Sequence, residues 1–251
     1  LAVIESIPLL FHVNCQGIPG FIENSSQNFY GIHNFSPSIK QINTTSLHTN
    51  SDKIIINPEH TPVIEMVALM GSTGSIAFTK DSDFDFWICI DSSKINEHAI
   101  QLLAKKCQAI ENWLFEKYNV ESHFFINDIV KLKDNIFADD QDNVKGELIG
   151  LLLKEEFFRS SIILAGKTPF WWATPNHLSD EDYSQWWKTF NEYNKNNTCI
   201  DIGNLQNISP EDFLEAALFQ LLKSLSRPFK SIIKLGLLEQ YINDVSASPY
   251  I

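Results

Sequence analysis

Asp83 and Asp85 flank Phe84 at the start of Phe84–Ile90, a segment that is mostly apolar and rich in β-forming residues. Side chains of a strand alternate between the two faces of a sheet, so the two carboxylates share one face. Phe84 and Phe86 then point to the other face, toward a core. Two neighbouring carboxylates repel each other unless a cation lies between them. The pattern therefore predicts a buried strand whose first residues form a cation-binding pair of acids.

A second apolar segment, Thr61–Met70, precedes these acids and leads into a turn of small polar residues. Its β-branched residues predict a strand that ends at Gly71. Backbone N–H groups and hydroxyls of such a turn can bind phosphate oxygens, and the hydroxyl candidates are Ser72, Thr73 and Ser75. Magnesium prefers oxygen ligands, and two metal ions can clamp the attacking and leaving oxygens of an in-line phosphoryl displacement. We therefore expect a metal-dependent nucleotidyl-transfer site.

Composition limits the class of protein. With 19 Lys and Arg residues against 31 Asp and Glu residues, the formal net charge is −12. This acidity argues against a nucleic-acid-binding role, because long nucleic-acid tracks need clustered basic residues. No apolar run approaches the ~20 residues of a membrane-spanning helix, and no signal peptide is visible. We expect a cytoplasmic protein with free thiols, since its cysteines lack metal-binding spacing. They are Cys15, Cys89, Cys107 and Cys199.

Beyond the first two strands, strands alternate with helices and then give way to helices. A third strand is expected over Val120–Ile126 and a further one over Thr168–Trp172. Residues 1–60 are rich in Gly, Pro, Asn and Ser and favour loops with one or two ordered pieces. The spacing of apolar residues, together with helix-capping and helix-breaking residues, predicts helices over residues 96–118, 148–164, 179–193, 209–226 and 228–241.

The composition changes near residue 145. We expect an α/β (α+β) catalytic domain over residues 1–145, with a small mixed sheet flanked by helices. A mainly helical domain is expected over residues 146–251. The chain opens without Met and ends in mid-pattern, so we expect it to be a piece of a longer protein.

The order of the motifs resembles the polymerase-β-type nucleotidyltransferase superfamily. A hydrophobic residue precedes Gly71-Ser72, ten residues follow, and then comes Asp83-Phe84-Asp85-Phe86. The alternative to a metal site is an acidic loop without a catalytic role that leads into a strand.

The superfamily resemblance implies a third carboxylate from a later strand. Glu121 is the best-placed acid, and Asp128, at the end of the same strand, is the second candidate. Glu121 can also be a solvent-facing strand residue. His123 alternates with Glu121 on one strand face, where it either reaches the site or serves as a hydrogen-bonded structural histidine.

The stretch Met70–Ile90, MGSTGSIAFTKDSDFDFWICI, is similar to the catalytic segment of the class I adenylate cyclases of enterobacterial type. Further stretches resemble this family in the same order, namely 106–113, 120–125, 151–167, 201–203, 211–223 and 226–230. One departure lies at Asp212–Lys223, where DFLEAALFQLLK stands for the family's EYFGxxLWxLYK and Glu215 replaces a glycine. The chain therefore resembles a divergent member.

This resemblance implies a nucleotidyltransferase domain whose helical partner domain closes over ATP, which is converted to 3′,5′-cyclic AMP and pyrophosphate. Asp83 and Asp85 would hold two Mg²⁺ ions, with Mn²⁺ as a possible substitute. Glu121 would ligate the metal near the ribose 3′-oxygen or accept its proton. A regulatory part or protein is implied in the flanks.

The triphosphate also needs cationic groups, because magnesium does not neutralise it alone. A solvated basic helix face is the alternative for Lys230 and Lys234, which are four residues apart. The Trp171-Trp172 and Trp186-Trp187 pairs can stack a base, although core packing is the commoner role. The candidate triphosphate-binding residues are Arg159, Lys167, Lys223, Ser224, Lys230 and Lys234.

Two other functions stay open from the sequence. One is nucleotidyl transfer to a different acceptor, such as a protein, an antibiotic or a nucleotide. The other is a regulatory domain that binds a nucleotide without catalysis, which the divergence at Glu215 suggests.

Overall fold

A computed structural model of the chain describes residues 2–23, 27–49, 54–57, 60–71, 82–137, 147–175, 178–205, 210–225 and 228–243. The fold is α+β, with a mixed four-stranded sheet and helices against it. Its strands are β1 (Ile64–Met70), β2 (Phe84–Ile90), β3 (Ser122–Asp128), β4 (Ile162–Gly166), β5 (Thr168–Pro169) and β6 (Cys199–Ile200). Its α-helices are α1 (Ile7–His12), α2 (Ile39–Thr49), α3 (Glu97–Tyr118), α4 (Ile129–Lys133), α5 (Glu147–Ser160), α6 (Asp180–Tyr193), α7 (Pro210–Ser224) and α8 (Pro228–Asn243).

The main sheet has the strand order β3-β2-β1-β4. The central strand β1 is antiparallel to both β2 and β4, whereas β2 and β3 are parallel. The parallel pair needs a long crossover, which α3 supplies between β2 and β3. Strands β5 and β6 form a separate two-stranded parallel sheet.

Both faces of the main sheet are covered, so β1 and β2 are buried almost throughout. One face, which includes Phe86 of β2, packs against α1 and α3. The other face, which includes Trp87 of β2, packs against α5 and a 3₁₀ helix over Phe170–Ala173. The alternation of side chains along β2 therefore divides two hydrophobic cores.

Several sequence predictions are confirmed. Strand β2 has the predicted bounds, and β1, β3, α3, α6, α7 and α8 lie where periodicity places them, within a few residues. In α3, Asn96 accepts a hydrogen bond from the Ala99 N–H and caps the first turn. The helix ends at Tyr118, and its C-cap residue Asn119 is left-handed with a φ of 52°. Local capping chemistry thus agrees with the predicted helix.

The helix predicted over Leu148–Leu164 is wrong in its last part. Helix α5 ends at Ser160, and Ile162–Gly166 forms β4, because pairing with β1 completes the sheet. Gly166 has a φ of +97°, and a β-carbon there would lie 2.5 Å from the Glu65 carbonyl oxygen. This close backbone approach explains the glycine at the end of the strand.

One further prediction needs correction. Of the strand expected over Thr168–Trp172, only Thr168–Pro169 forms β5, and the chain then continues into the 3₁₀ helix. The one or two ordered pieces expected among the loops of residues 1–60 are present, since a 3₁₀ helix over Ala2–Ser6 continues into α1 and α2 follows separately. Helix α1 has only six residues and forms because its apolar side chains are buried against the sheet, which local periodicity does not reveal.

The domain boundary expected near residue 145 would separate α5 and β4 from the first three strands of the main sheet. Both elements contact β1, so the sheet is built from chain on either side of that position. The later part also contains β5 and β6 among its helices. Among the described residues, no helix combines the length and the apolar character needed to cross a membrane.

Candidate active site

Asp85 lies at the edge of the sheet where β1 ends and β2 begins. It is the register partner of Met70 in β1, and Gly71 follows directly. Gly71 has a φ of +84°, a conformation that favours glycine. A β-carbon at Gly71 would stand 3.7 Å from Asp85 Oδ2, an ordinary van der Waals distance, so Gly71 lies directly beside the carboxylate. Ser72, Thr73 and Ser75, the predicted hydroxyl ligands, lie outside the described residues.

Glu121 and His123 line the same edge on the neighbouring strand. The Glu121 carbonyl oxygen accepts a hydrogen bond from the Phe84 N–H at 3.0 Å. Asp85 is the register partner of His123, and the same register continued by one pair sets Glu121 beside Asp83. Register partners share a face of the sheet, so the three acids and the histidine face the same side. This is the face of the sheet that includes Trp87, and α5 packs against that face.

Asp128, the second candidate for a third carboxylate, lies at the opposite end of β3. It pairs with Ile90, five residues beyond Asp85, which corresponds to about 16 Å along a strand. Its carboxylate accepts hydrogen bonds from Ser92 Oγ at 2.5 Å and from the Val130 N–H at 3.1 Å. Asp128 therefore caps α4, and Glu121 is the acid on the same side as Asp83 and Asp85.

The end of the main sheet that carries Asp83, Asp85, Glu121 and His123 is called the acidic edge below. Arg159 lies in the last turn of α5, near this acidic edge. The next strand begins at Ile162, which pairs with Leu69, so the end of α5 reaches the edge at which β1 ends. The guanidinium of Arg159 forms an ion pair with Glu155 one turn earlier. Burial raises the pKa of the Glu155 carboxyl, although the Arg159 charge acts in the opposite direction. This position is compatible with a role at a triphosphate.

Lys167 lies away from the acids. Because β4 runs antiparallel to β1, the residue after β4 lies beside the start of β1. Its Nζ is 2.5 Å from Glu65 Oε2, and both side chains are buried. Lys94 also contacts Glu65 at 2.8 Å and Asp91 at 2.9 Å. The structure therefore assigns Lys167 to a buried ion cluster at the far end of the sheet.

The remaining candidate cations lie on the α7–α8 hairpin. Lys234 of α8 forms an ion pair with Glu156 of α5 at 3.2 Å, which ties the hairpin to the helix that carries Arg159. Lys223 is exposed in the last turn of α7, and the Ser224 hydroxyl donates to the Leu221 carbonyl at 2.6 Å. The side chain of Lys230 lies outside the described residues.

One tryptophan of each pair, Trp171 or Trp187, packs in the core, whereas Trp172 and Trp186 are exposed. Trp171 stacks on Phe158 at 4.5 Å between ring centroids, and Trp187 packs on Phe170 at 5.0 Å. Trp172 Nε1 donates to the Phe158 carbonyl at 2.9 Å. The four cysteines are free thiols, as expected.

The acidic edge suits a metal ion that keeps water or phosphate among its ligands. Within the described ranges, no three His, Cys, Asp or Glu side chains are gathered closely enough to hold a metal by themselves. Magnesium is usually held by one or two carboxylates together with water and substrate phosphates. Asp83 and Asp85 supply two such carboxylates at this end of the sheet. The residues present therefore fit Mg²⁺ bound together with a nucleotide.

A mixed sheet with paired acids beside a glycine turn is the arrangement of an α+β nucleotidyltransferase-like domain. Residues 1–172 match the family model described as "Adenylate cyclase NT domain". Residues 208–251 match the one described as "Adenylate cyclase, class-I, second domain". The chain therefore belongs to the class I adenylate cyclase family, which confirms the resemblance found in its sequence.

Curated relatives agree with this assignment. The adenylate cyclase of Haemophilus influenzae is 33% identical over 257 residues, which cover 95% of this chain and 29% of the relative. That of Escherichia coli K12 is 31% identical over 253 residues, with 95% and 28% covered. That of Pasteurella multocida is 31% identical over 256 residues, with 96% and 29% covered. The chain thus spans less than a third of the length of these relatives.

Proposed function

We propose that this chain carries the catalytic site of an adenylate cyclase that converts ATP to 3′,5′-cyclic AMP and pyrophosphate. The observation that carries the proposal is the acidic edge, where Asp83, Asp85 and Glu121 face one side beside Gly71. Membership in the class I adenylate cyclase family supports ATP as the substrate and cyclisation as the reaction.

In this proposal Asp83 and Asp85 hold Mg²⁺, with Mn²⁺ as a substitute, and the two-ion arrangement of nucleotidyl transfer is the expected one. Bound metal would neutralise phosphate charge and lower the pKa of the ribose 3′-hydroxyl. Glu121 either completes the ligand set near the 3′-oxygen or accepts its proton. Backbone groups after Gly71 and the hydroxyls of Ser72, Thr73 and Ser75 contact the phosphates.

The reaction is an intramolecular in-line displacement. The ribose 3′-oxygen attacks the α-phosphorus, the bond to the bridging oxygen of the β-phosphate breaks, and pyrophosphate leaves. The 3′-proton passes to Glu121 or to water. Arg159 and Lys234 lie on elements that reach or are tied to this edge, and they stabilise the charge that develops on the leaving pyrophosphate. In the proposal Lys223, Ser224 and Lys230 contribute from the α7–α8 hairpin, which closes over the nucleotide as a second domain.

The test is cyclic AMP formation by the 251-residue chain with ATP and Mg²⁺ and no further acceptor. Asp85→Asn should lower kcat at least about 100-fold, because metal assistance supplies several kcal/mol and 1.36 kcal/mol is tenfold in rate. The matched control is Asp134→Asn, an exposed residue at the end of α4, which follows the end of β3 opposite to Glu121, and it should retain wild-type activity.

Other outcomes separate the alternatives. Turnover that begins only after a second acceptor is added would identify a transferase instead of a cyclase. If the wild type forms no product and Asp85→Asn leaves ATP affinity in Mg²⁺ unchanged, the metal-site assignment fails and a non-catalytic nucleotide-binding role is favoured.

A further inference from the structure

His123 occupies a defined place in the acidic edge. It lies on β3, at the border of the main sheet, and its register partner on β2 is Asp85. Adjacent strands are about 4.8 Å apart, so the imidazole and the Asp85 carboxylate start from neighbouring positions on the same face. The side chain two residues earlier on that face is Glu121.

The contacts of His123 distinguish it from a core histidine. Its Nε2 is 3.7 Å from Glu121 Oε1, and the two side chains are 46% and 64% exposed. On the other side, its ring lies 6.4 Å from that of Phe125, centroid to centroid. The imidazole is therefore a half-exposed group that faces a carboxylate, next to the pair of acids proposed to hold metal.

Glu121 benefits from such a partner because its backbone is held by a hydrogen bond while its long side chain is mostly exposed. The Phe84 N–H binds its carbonyl, yet the carboxylate extends into solvent on a flexible stem. Ordering a long side chain of this kind at a reacting atom costs conformational entropy. An N–H donor at Oε1 restricts the carboxylate and leaves Oε2 for the site, and such contacts are often long before substrate binds.

We infer that His123 is a positioning residue, whose Nε2–H donates to Glu121 Oε1 and orients that carboxylate toward the ribose 3′-oxygen. The imidazole acts through Glu121 and makes no contact with the nucleotide. This inference rests on the proposed cyclase function and adds to it a residue that sets the geometry of the third acid. It accounts for the alternation of an acid and a histidine on one face of β3.

A double-mutant cycle tests the inference in the same chain. His123→Phe keeps a planar ring without a donor and should lower kcat about 10- to 100-fold, the range found for partners that orient ligands, with KM for ATP changed less than about threefold. His123→Gln retains an N–H donor and should recover most of the lost kcat. In a Glu121→Gln background, His123→Phe should have little further effect. Multiplicative losses in the double variant would overturn the inference, as would a raised KM with unchanged kcat.

A measurement independent of turnover detects the contact itself. The imidazole resonances of His123, assigned by their loss in His123→Phe, should shift in Glu121→Gln and stay in place in Glu97→Gln, an exposed acid in the first turn of α3. Resonances that do not respond to Glu121→Gln would overturn the contact. A wild-type chain that forms no cyclic product overturns the proposed function, whereas multiplicative losses in an active chain overturn only the role of His123.

Discussion

Lys106 is a fully buried lysine on α3, and among the described residues no carboxylate lies at hydrogen-bonding distance from it. Its Nζ donates to the Val13 carbonyl at 2.9 Å and to the Gly20 carbonyl at 3.0 Å, so it ties the N-terminal segment to the helix. Burial lowers the pKa of the ammonium from 10.5 to about 7. The group is therefore neutral in the folded protein over a pH range in which it is charged in the unfolded chain.

We expect the stability difference between the wild type and Lys106→Met to depend on pH. Between the two pKa values the unfolded state binds one more proton, so wild-type stability rises with pH by about 1.36 kcal/mol per unit. From pH 7.5 to 9 the wild type should gain about 2 kcal/mol relative to the methionine variant. Methionine also leaves both carbonyls without their donor, a constant loss of about 1–3 kcal/mol for each.

The assay is urea unfolding of both proteins, followed by tryptophan fluorescence at several pH values. An unchanged m-value is required, so that a shifted midpoint reports stability. The matched control is Lys105→Met, which removes an exposed ammonium from the same helix and should change stability by less than about 0.5 kcal/mol. A constant difference for Lys106→Met, or one that shrinks as pH rises, would refute the reasoning.

Two further predictions concern the far end of the sheet. Gly166→Ala should lower the free energy of unfolding by about 3 kcal/mol, because its φ of +97° and the carbonyl 2.5 Å from the new β-carbon both oppose a side chain. The control is Gly236→Ala on α8, where a β-carbon meets open space, and this change should be neutral or stabilising. Both variants are compared by thermal unfolding, and equal Tm values for the two would contradict the argument. Glu65→Gln should destabilise by about 3–5 kcal/mol at pH 7, since the buried ammonium of Lys167 loses its partner. Burial raises the pKa of Glu65, but Lys167 and Lys94 hold it below the ordinary value of 4.5. In urea unfolding the difference should therefore shrink as the pH falls below 4.5, and a difference that stays constant as the pH is lowered would argue against the ion cluster.

Strand β2 and helix α3 were predictable because every local signal agreed. Alternation, β-forming composition and the acids at the entry placed β2, while the apolar stripe and the Asn96 cap placed α3. Helix α1 and strand β4 were not predictable in this way. Each depends on a partner distant in sequence, and β4 follows a helix without a Pro or Gly to mark the change.

The same distinction applies to the candidate site. Asp83 and Asp85 share a strand, so their common face follows from alternation alone. Placing Glu121 at the same end of the sheet as Asp83 and Asp85, and Asp128 at the other end, needed the parallel register of β2 and β3, which a single sequence does not contain. Lys167 was expected at the triphosphate, but the antiparallel course of β4 carries it to Glu65. One signal for this cluster was visible, an acid inside the apolar run of β1.

The division of two cores by β2 determines which changes of length this protein tolerates. A substitution in Phe84–Ile90 alters one side chain, but one inserted residue after Asp85 would send every later side chain to the opposite face. Phe86 would then enter the space of Trp87, and both cores would lose their packing at once. A two-residue slip would restore the faces but move the acid about 7 Å from Gly71. We therefore expect related sequences to have no insertions or deletions within β2, so this strand is the segment from which an alignment of them should start.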